Sequence, residues 1–313
     1  MPLRQDSLEG ITASSGDIVA TAPNASPSQL SVYRYRRSNK SYTEDLGNGV
    51  NLTLMLIPSG EFIMGAPKDE PDSRDRECPQ HRVLLPSFFL GRYPVTQVQW
   101  RIVAGYDPVE RNLDPDPAHF KGNNRPVERV SWDDAQEFCQ RLSRKTEKVY
   151  RLPTEAQWEY ACRAGTTTPF YFGETILPEL ANYNTEYSYN NTEFRYIDNS
   201  TAESQGVTTE VGSFPANDWG LHDMHGNVWE WCEDDYHDTY KDAPVDGSVW
   251  VDANREETDR LLRGGFWDEE PQYCRSAART FNLRDFRNDG IGFRVCCEWP
   301  VGLTVAPAGT LPS

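Results

Sequence analysis

His225-Gly226-Asn227-Val228-Trp229-Glu230-Trp231 is the stretch whose reading decides the fold of this 313-residue chain. Gly226 and Asn227 tolerate left-handed backbone, which marks a turn. Trp229 and Trp231 each bring a large ring to bury and an indole N–H that still needs an acceptor. So much aromatic surface beside a Gly-Asn pair fits neither an ordinary helix nor an ordinary strand, and it points to a folded, functional loop. The plainer alternative is a tight turn leading into a buried aromatic cluster.

Composition bounds what can surround that loop. With 37% hydrophobic residues the chain can bury a sizeable core without staples. The formal net charge of -17 excludes nonspecific binding to nucleic acid or to an anionic membrane, because neutralising phosphates takes surplus Lys and Arg. Cationic ligands, metal ions or basic proteins suit that charge better. Seven cysteines, scattered and without C-x-x-C spacing, form neither a disulfide framework nor a zinc pattern. The N-terminus lacks the apolar run of about 7 to 15 residues that marks a secretory signal, and no segment approaches the roughly 18 needed to span a bilayer. A cytoplasmic protein with reduced thiols is expected.

Residues 1–40 are rich in Ser, Ala, Thr, Pro and Gln and end in Arg34, Arg36, Arg37 and Lys40, the composition of a flexible leader or of a tether. Strands are expected to begin near Leu52 to Ile57. Two helices carry start signals. Ser131 with Asp134 resembles a capping box, and Trp132, Ala135, Phe138, Cys139 and Leu142 follow at helical spacing. Thr154 with Gln157 repeats the device, Trp158, Ala161 and Cys162 share one face, and Gly165 supplies a stop. Cys139 and Cys162 therefore read as small buried hydrophobes. Cys296 and Cys297 are neighbours that a strand would point to opposite faces, so they do not pair on one ion. Two long irregular stretches are expected: an Asn- and Tyr-rich one over 169–217, and a solvated acidic loop over 233–257.

Four blocks stand in order around the aromatic loop. Phe62-Ile63-Met64-Gly65 and Tyr93-Pro94-Val95-Thr96 come first, then Arg151-Leu152-Pro153-Thr154-Glu155-Ala156-Gln157-Trp158-Glu159-Tyr160-Ala161, the loop itself, and Arg263-Gly264-Gly265 with Gly292-Phe293-Arg294. From about Leu46 to Val295 the chain thereby resembles the formylglycine-generating enzyme, or sulfatase-modifying factor, family. The resemblance implies an α+β fold, a variant of the C-type lectin fold with small antiparallel sheets, two main helices and much irregular structure. One domain over 41–300, after the leader and before a tail at 301–313, is the expected organisation.

The oxidases of that family hold copper through two cysteines spaced as Glu269 and Cys274 are here, since soft thiolates suit Cu(I). Only Cys274 is a cysteine, and Cys274-Arg275-Ser276-Ala277-Ala278-Arg279 reads as a structural element. Copper is therefore not expected. The family's calcium sites carry over better. One maps onto Asp223, Gly226, Val228 and Glu230, which would offer two carboxylates and two backbone carbonyls, all hard oxygen donors. A second maps onto Asn182 and the Tyr183 carbonyl, with Glu203 and the Gln205 carbonyl. Its alternative is an Asn in a turn and a solvated Glu. Both would be structural. The five histidines, His81, His119, His222, His225 and His237, show no iron-binding triad of the kind found in sulfoxide synthases.

The segment 262–297 also resembles the variable region of diversity-generating retroelement proteins, several of which use this lectin-like fold. Their fixed skeleton corresponds here to Arg263, Gly264, Gly265, Trp267, Cys274, Arg275, Ser276, Ala277, Arg279, Arg287, Ile291, Gly292, Phe293, Arg294 and Val295. Interspersed candidates for ligand contact are Phe266, Asp268, Glu269, Glu270, Gln272, Tyr273, Ala278, Phe281, Leu283, Phe286, Asp289 and Gly290. Aromatics supply rigid contact area and carboxylates supply selectivity. Phe266, Phe281 and Phe286 could instead be core. The sequence thus supports a non-catalytic binding protein for an unidentified protein or small molecule, not for nucleic acid or membrane. A copper- and oxygen-dependent protein-cysteine oxidase is the alternative.

Overall fold

The computed structural model describes residues 37–187, 205–255 and 258–298, together with the backbone of one antiparallel pair, β1 (Asp17–Ala20) with β2 (Ser31–Arg34). That pair falls within the expected leader. Glu203 and the tail over 301–313 lie outside the described residues.

A five-stranded sheet carries one side of the fold. β3 (Ser41–Asp45) and β4 (Asn51–Ile57) form its first hairpin, turning through Gly47, Asn48 and Gly49, all at positive φ. β4 starts where the apolar run had placed a strand. β7 (Phe88–Gly91) pairs with β4, and the short β13 (Cys296–Cys297) bridges β7 to β8 (Tyr150–Arg151), which brings the C-terminal end of the domain into the middle of the sheet. Beside it, β5 (Gly60–Met64) and β6 (His81–Leu85) make a separate hairpin.

The second main sheet has the order β11 (Arg279–Asn282), β10 (Arg260–Arg263), β9 (Trp229–Asp235), β12 (Ile291–Gly292). Its last pairing is parallel, whereas the other strand pairs among the described residues are antiparallel. β9 is the decisive stretch: a turn with Gly226 and Asn227 at φ 82 and 68, then a strand buried along nearly its whole length.

Among the described residues three α-helices cover the sheets: α1 (Gln97–Ala104), α2 (Trp132–Thr146) and α3 (Glu155–Arg163). The two expected ones begin at their expected capping boxes. α1 was not anticipated, although Thr96 and Gln99 form the same reciprocal box. At eight residues it has too few turns for a clear periodic stripe. The apolar faces of α1 and α2 meet one core, where Trp100 stacks on Phe138 at 5.6 Å and Phe293 closes on Phe138 edge-on. α3 faces the other core, with Trp158, Phe170, Phe172, Met224 and Cys274.

All seven cysteines are free thiols. Cys139 and Cys162 are buried as expected, and Cys296 and Cys297 point into different cores. The acidic stretch over 233–257 differs from expectation, because its first part is β9. Asp234 accepts the Glu155 and Trp250 N–H groups, and Asp235 pairs with Arg260 at 2.6 Å, so both are buried. Charge density in sequence did not reveal those partners, which arrive from α3, from β10 and, at Trp250, from later in the same stretch.

Candidate functional site

The Gly226-Asn227 turn is a junction of four segments. Gly226 donates its N–H to the Gly264 carbonyl at 2.7 Å, and Asn227 donates to the Asn182 carbonyl at 2.8 Å. The Asn227 carbonyl accepts the Trp267 N–H, and its side chain accepts the Thr209 N–H. A Cβ at Gly226 would stand 2.1 Å from the Asn182 carbonyl oxygen, so only glycine permits the approach. Both indoles find acceptors: Trp231 at the Val130 carbonyl, Trp229 at Glu269 Oε2, 3.1 Å away.

Glu230 lies fully buried beneath this turn. Its carboxylate receives Nε and Nη2 of Arg294 at 2.6 and 2.7 Å and the Trp158 indole at 2.8 Å. Arg294 in turn donates to the Gly91 and His222 carbonyls. Asp223, also buried and at φ 57, accepts the Gly212 N–H through Oδ2 while its Oδ1 has no partner. Burial pushes its carboxyl up to about 6, and nearby Glu230 adds to the rise. Arg294 pairs with Glu230 and reaches only the backbone carbonyl of Asp223, so the Asp223 Oδ1 is an orphaned buried oxygen that a hard cation would satisfy. Among the described residues no three His, Cys, Asp or Glu side chains gather as a metal cluster, so such an ion would depend on the Gly226 and Val228 carbonyls as well.

Of the second calcium set the structure describes Asn182, Tyr183 and Gln205. Asn182 is buried, with its amide donating to the Val207 carbonyl and its own carbonyl serving Asn227. Tyr183 is buried with its hydroxyl near the Ile176 carbonyl, Gln205 is exposed, and Glu203 lies outside the described residues.

Residues 262–297 separate into two populations. Arg263, Cys274, Arg275, Ser276, Ala277, Arg279, Ile291, Phe293, Arg294 and Val295 are buried. Their arginines are neutralised by carboxylates from elsewhere: Arg263 by Glu159, Arg275 by Glu70 and Glu77, Arg279 by Glu155. Arg287 departs from this pattern, being exposed and tied to Asp134.

The interspersed side chains face out or lie at the rim. Asp268, Phe281, Leu283 and Phe286 are exposed, and Phe266, Glu269, Glu270, Gln272, Tyr273 and Asp289 are half-buried. Phe281, Leu283 and Phe286 are 38, 60 and 38% exposed, so the core alternative does not hold for these two phenylalanines. Ala278 and Gly290 are corrected: both are buried, and a Cβ at Gly290 would meet the Phe266 ring at 2.1 Å.

Sequence reasoning missed the neighbours that pack against several of these side chains. Arg74 lies 4.2 Å over the Tyr273 ring, Phe120 meets Trp267 edge-on at 5.3 Å, Tyr236 packs on Phe281 at 4.0 Å, and Asn184 donates to Asp268. All come from distant loops that carry no local signal.

At the two copper positions the structure describes a carboxylate, Glu269, and a thiol, Cys274. Cys274 is fully buried, and burial raises its thiol well above the ordinary value. Glu269 is half-buried against Trp229, with its carboxyl held above the usual range by that burial.

Small sheets, capped helices, a Gly-Asn turn beneath a buried Arg–Glu pair, and a C-terminal segment on a skeleton of neutralised arginines define a formylglycine-generating-enzyme-type fold. Residues 46–299 match the sulfatase-modifying factor enzyme 1-like domain, and the chain belongs to that family. The formylglycine-generating enzyme of Mycobacterium tuberculosis is 30% identical, over 79% of this chain and 98% of its own length. The inactive C-alpha-formylglycine-generating enzyme 2 of Bos taurus is 28% identical, over 80% of this chain and 89% of its own. Among solved structures, Treponema denticola variable protein 1 superposes with a TM-score of 0.64 at 26% identity, covering 82% of this chain and 99% of that one. The likeness thus extends to enzymes, to an inactive relative and to a variable protein. No helix of the described residues is long and apolar enough to cross a membrane.

Proposed function

We propose that this protein is a non-catalytic member of the family that binds a protein or small-molecule ligand through the surface of Phe266, Asp268, Glu269, Glu270, Gln272, Tyr273, Phe281, Leu283, Phe286 and Asp289. One observation carries the reading: apart from half-buried Trp267 and exposed Arg287 the skeleton of the segment is buried, with its buried arginines charge-neutralised, while all the interspersed residues but Ala278 and Gly290 are exposed or at the rim. Such a division leaves most of the folding contacts of the segment to its buried skeleton, which a recognition surface needs. Exposed Phe and Leu grouped on one segment are costly to leave in water unless something docks on them. The acidic balance and the reduced thiols favour a cytoplasmic setting without nucleic-acid or membrane partners.

The test is to probe arrayed peptides and glycans with the purified chain and with a Phe281→Ser, Leu283→Ser, Phe286→Ser variant. The surface reading expects a restricted set of signals that the variant loses while melting normally. A variant that keeps every signal overturns it. The oxidase alternative is tested by incubation with Cu(I), oxygen and a sulfatase-type cysteine peptide: no aldehyde is expected, and aldehyde formation abolished by Cys274→Ser would reverse the ranking.

Calcium belongs to this proposal as a structural ion. Asp223 and Glu230, with the Gly226 and Val228 carbonyls, would hold it, and it would supply the positive charge that the Asp223 Oδ1 lacks. The same residues, bound or not, fix the turn from which the Trp267 N–H is suspended. Calcium at about a hundred times its dissociation constant contributes roughly 2.7 kcal/mol. Chelation should therefore lower the melting temperature of wild type but not of Asp223→Asn, and an unchanged wild-type curve removes calcium from the proposal.

A further inference from the structure

Between Asn282, where β11 ends, and Ile291, where β12 begins, the chain has no strand ladder to hold it. This is nonetheless the part of the segment where Leu283, Asp285, Phe286 and Asn288 are exposed. Two arginines alternate with them. Arg284 reaches Asp133 Oδ1 with Nε at 2.9 Å and Nη2 at 2.6 Å. Arg287 reaches Asp134 Oδ2 with Nε at 2.9 Å and Nη2 at 2.8 Å. Both aspartates sit in the first turn of α2, and their side chains are only 12 and 11% exposed.

Backbone bonds run along the same seam. The Asp133 N–H points to the Arg284 carbonyl at 3.4 Å, and the Arg129 N–H donates to the Asn288 carbonyl at 3.0 Å. Asp134 Oδ2 also accepts the Ser131 N–H in the capping box, so the residue that closes the box is the one that grips Arg287. Arg284 further lies 5.6 Å over the Trp132 ring, and Arg111 approaches Asp133 at 3.1 Å from the far side.

We propose that Arg284 and Arg287, with Asp133 and Asp134, are positioning residues of the recognition surface, a clamp that fixes the backbone of 283–289 on the N-terminus of α2 whatever side chains stand between them. The proposal rests on the recognition-surface reading and adds how that surface is held. A contact residue exchanged to suit a ligand cannot also fix its own loop, so the conformation has to be set by other residues. Preorganised loops then lose less entropy on binding. Two-pronged guanidinium–carboxylate pairs suit this role because they fix direction as well as distance, which an ammonium does not. Helix α2 provides a rigid base, since its N-terminus is closed by its own capping box.

Amide hydrogen exchange on the full chain, read together with thermal melting, tests the clamp. Arg284→Gln with Arg287→Gln should speed exchange over 282–290 by about tenfold and leave β9, β10 and α3 protected, because partly exposed ion pairs govern local opening more than global stability. Leu283→Ser with Phe286→Ser should leave exchange in that segment within about twofold of wild type. Arg284→Asp combined with Asp133→Arg should restore slow exchange near 284, whereas Arg284→Lys with Arg287→Lys should restore it only in part. Unchanged exchange in the glutamine variant overturns the clamp, as does equal loosening by the serine pair. Binding signals indifferent to Phe281, Leu283 and Phe286 overturn the surface reading instead, and the exchange data still decide the clamp.

Discussion

Replacing Arg275 by Met should be among the most damaging single changes in this chain. Arg275 is 1% exposed and makes contacts in three directions. Its Nη1 lies 2.5 Å from Glu70 and 2.9 Å from Glu77, Nη2 lies 2.9 Å from the other Glu77 oxygen and 2.8 Å from the Asp72 carbonyl, and Nε donates to the Gln272 carbonyl. Methionine fills much of the volume but strands two buried carboxylates. Removing one partner of a buried pair costs about 3–5 kcal/mol, and the two orphaned carbonyls add about 1 kcal/mol or more. Protonation of Glu70 offsets part of this, so the expected loss is about 4–6 kcal/mol. Against a total of about 5–15 kcal/mol, the melting temperature should fall by roughly 8–20 °C.

The loss should depend on pH with a definite sign. Burial already raises the Glu70 carboxyl above its ordinary value. A carboxyl whose folded pKa exceeds its unfolded one contributes stability that is whole below the unfolded value and lost as pH rises through the folded value. Without Arg275 the elevation grows at Glu70, so the deficit should be small near about pH 4 and widen toward about pH 8. Thermal melts at both pH values, with Glu70→Gln and Glu77→Gln added to Arg275→Met, provide the assay. The added glutamines should recover more than half of the loss at the higher pH. A fall below about 1 kcal/mol, or no recovery, refutes the account of buried charge.

Gly265→Ala should destabilise by several kcal/mol, seen as a lower melting temperature, because φ is 77 and the new Cβ would stand 2.4 Å from Cys274 Sγ. Glu128→Gln should stabilise the fold above about pH 7 and change little below about pH 4.5: burial pushes this carboxyl up to about 7 and leaves Oε2 without a partner, while Oε1 still accepts the Phe120 N–H. Melts across that range check it, and a variant equal to wild type at about pH 8 would contradict it. Phe281→Ser, Leu283→Ser and Phe286→Ser should each shift stability by no more than about 0.5 kcal/mol, as exposed positions do. A cooperative loss on combining them would mean the three side chains form a core of their own.

Much of the candidate site was legible because its signals are local. The capping boxes at Ser131 and Thr154 named two helices, since a side chain three residues away closes each box. Thr96 and Gln99 carried the same signal and went unused, because the helix behind them is short. Gly226 and Asn227 announced a left-handed turn, and both take positive φ. The split between Arg263, Arg275 and Arg279 on one side and Asp268, Phe281, Leu283 and Phe286 on the other followed from the order of motif and interspersed residues.

By itself the sequence determined the family, the helix starts, the decisive turn and the missing thiolate at Glu269, because each depends on residue identity at short range. Tertiary structure alone decided what is buried and with whom. Arg275 finds Glu70 and Glu77 across about 200 residues, Asp235 leaves its apparent acidic loop for Arg260, and Ala278 and Gly290 fall beneath the surface they seemed to belong to. Burial of a charge is tolerable only when its partner arrives. That partner is set by how the sheets and helices pack, which no local pattern records.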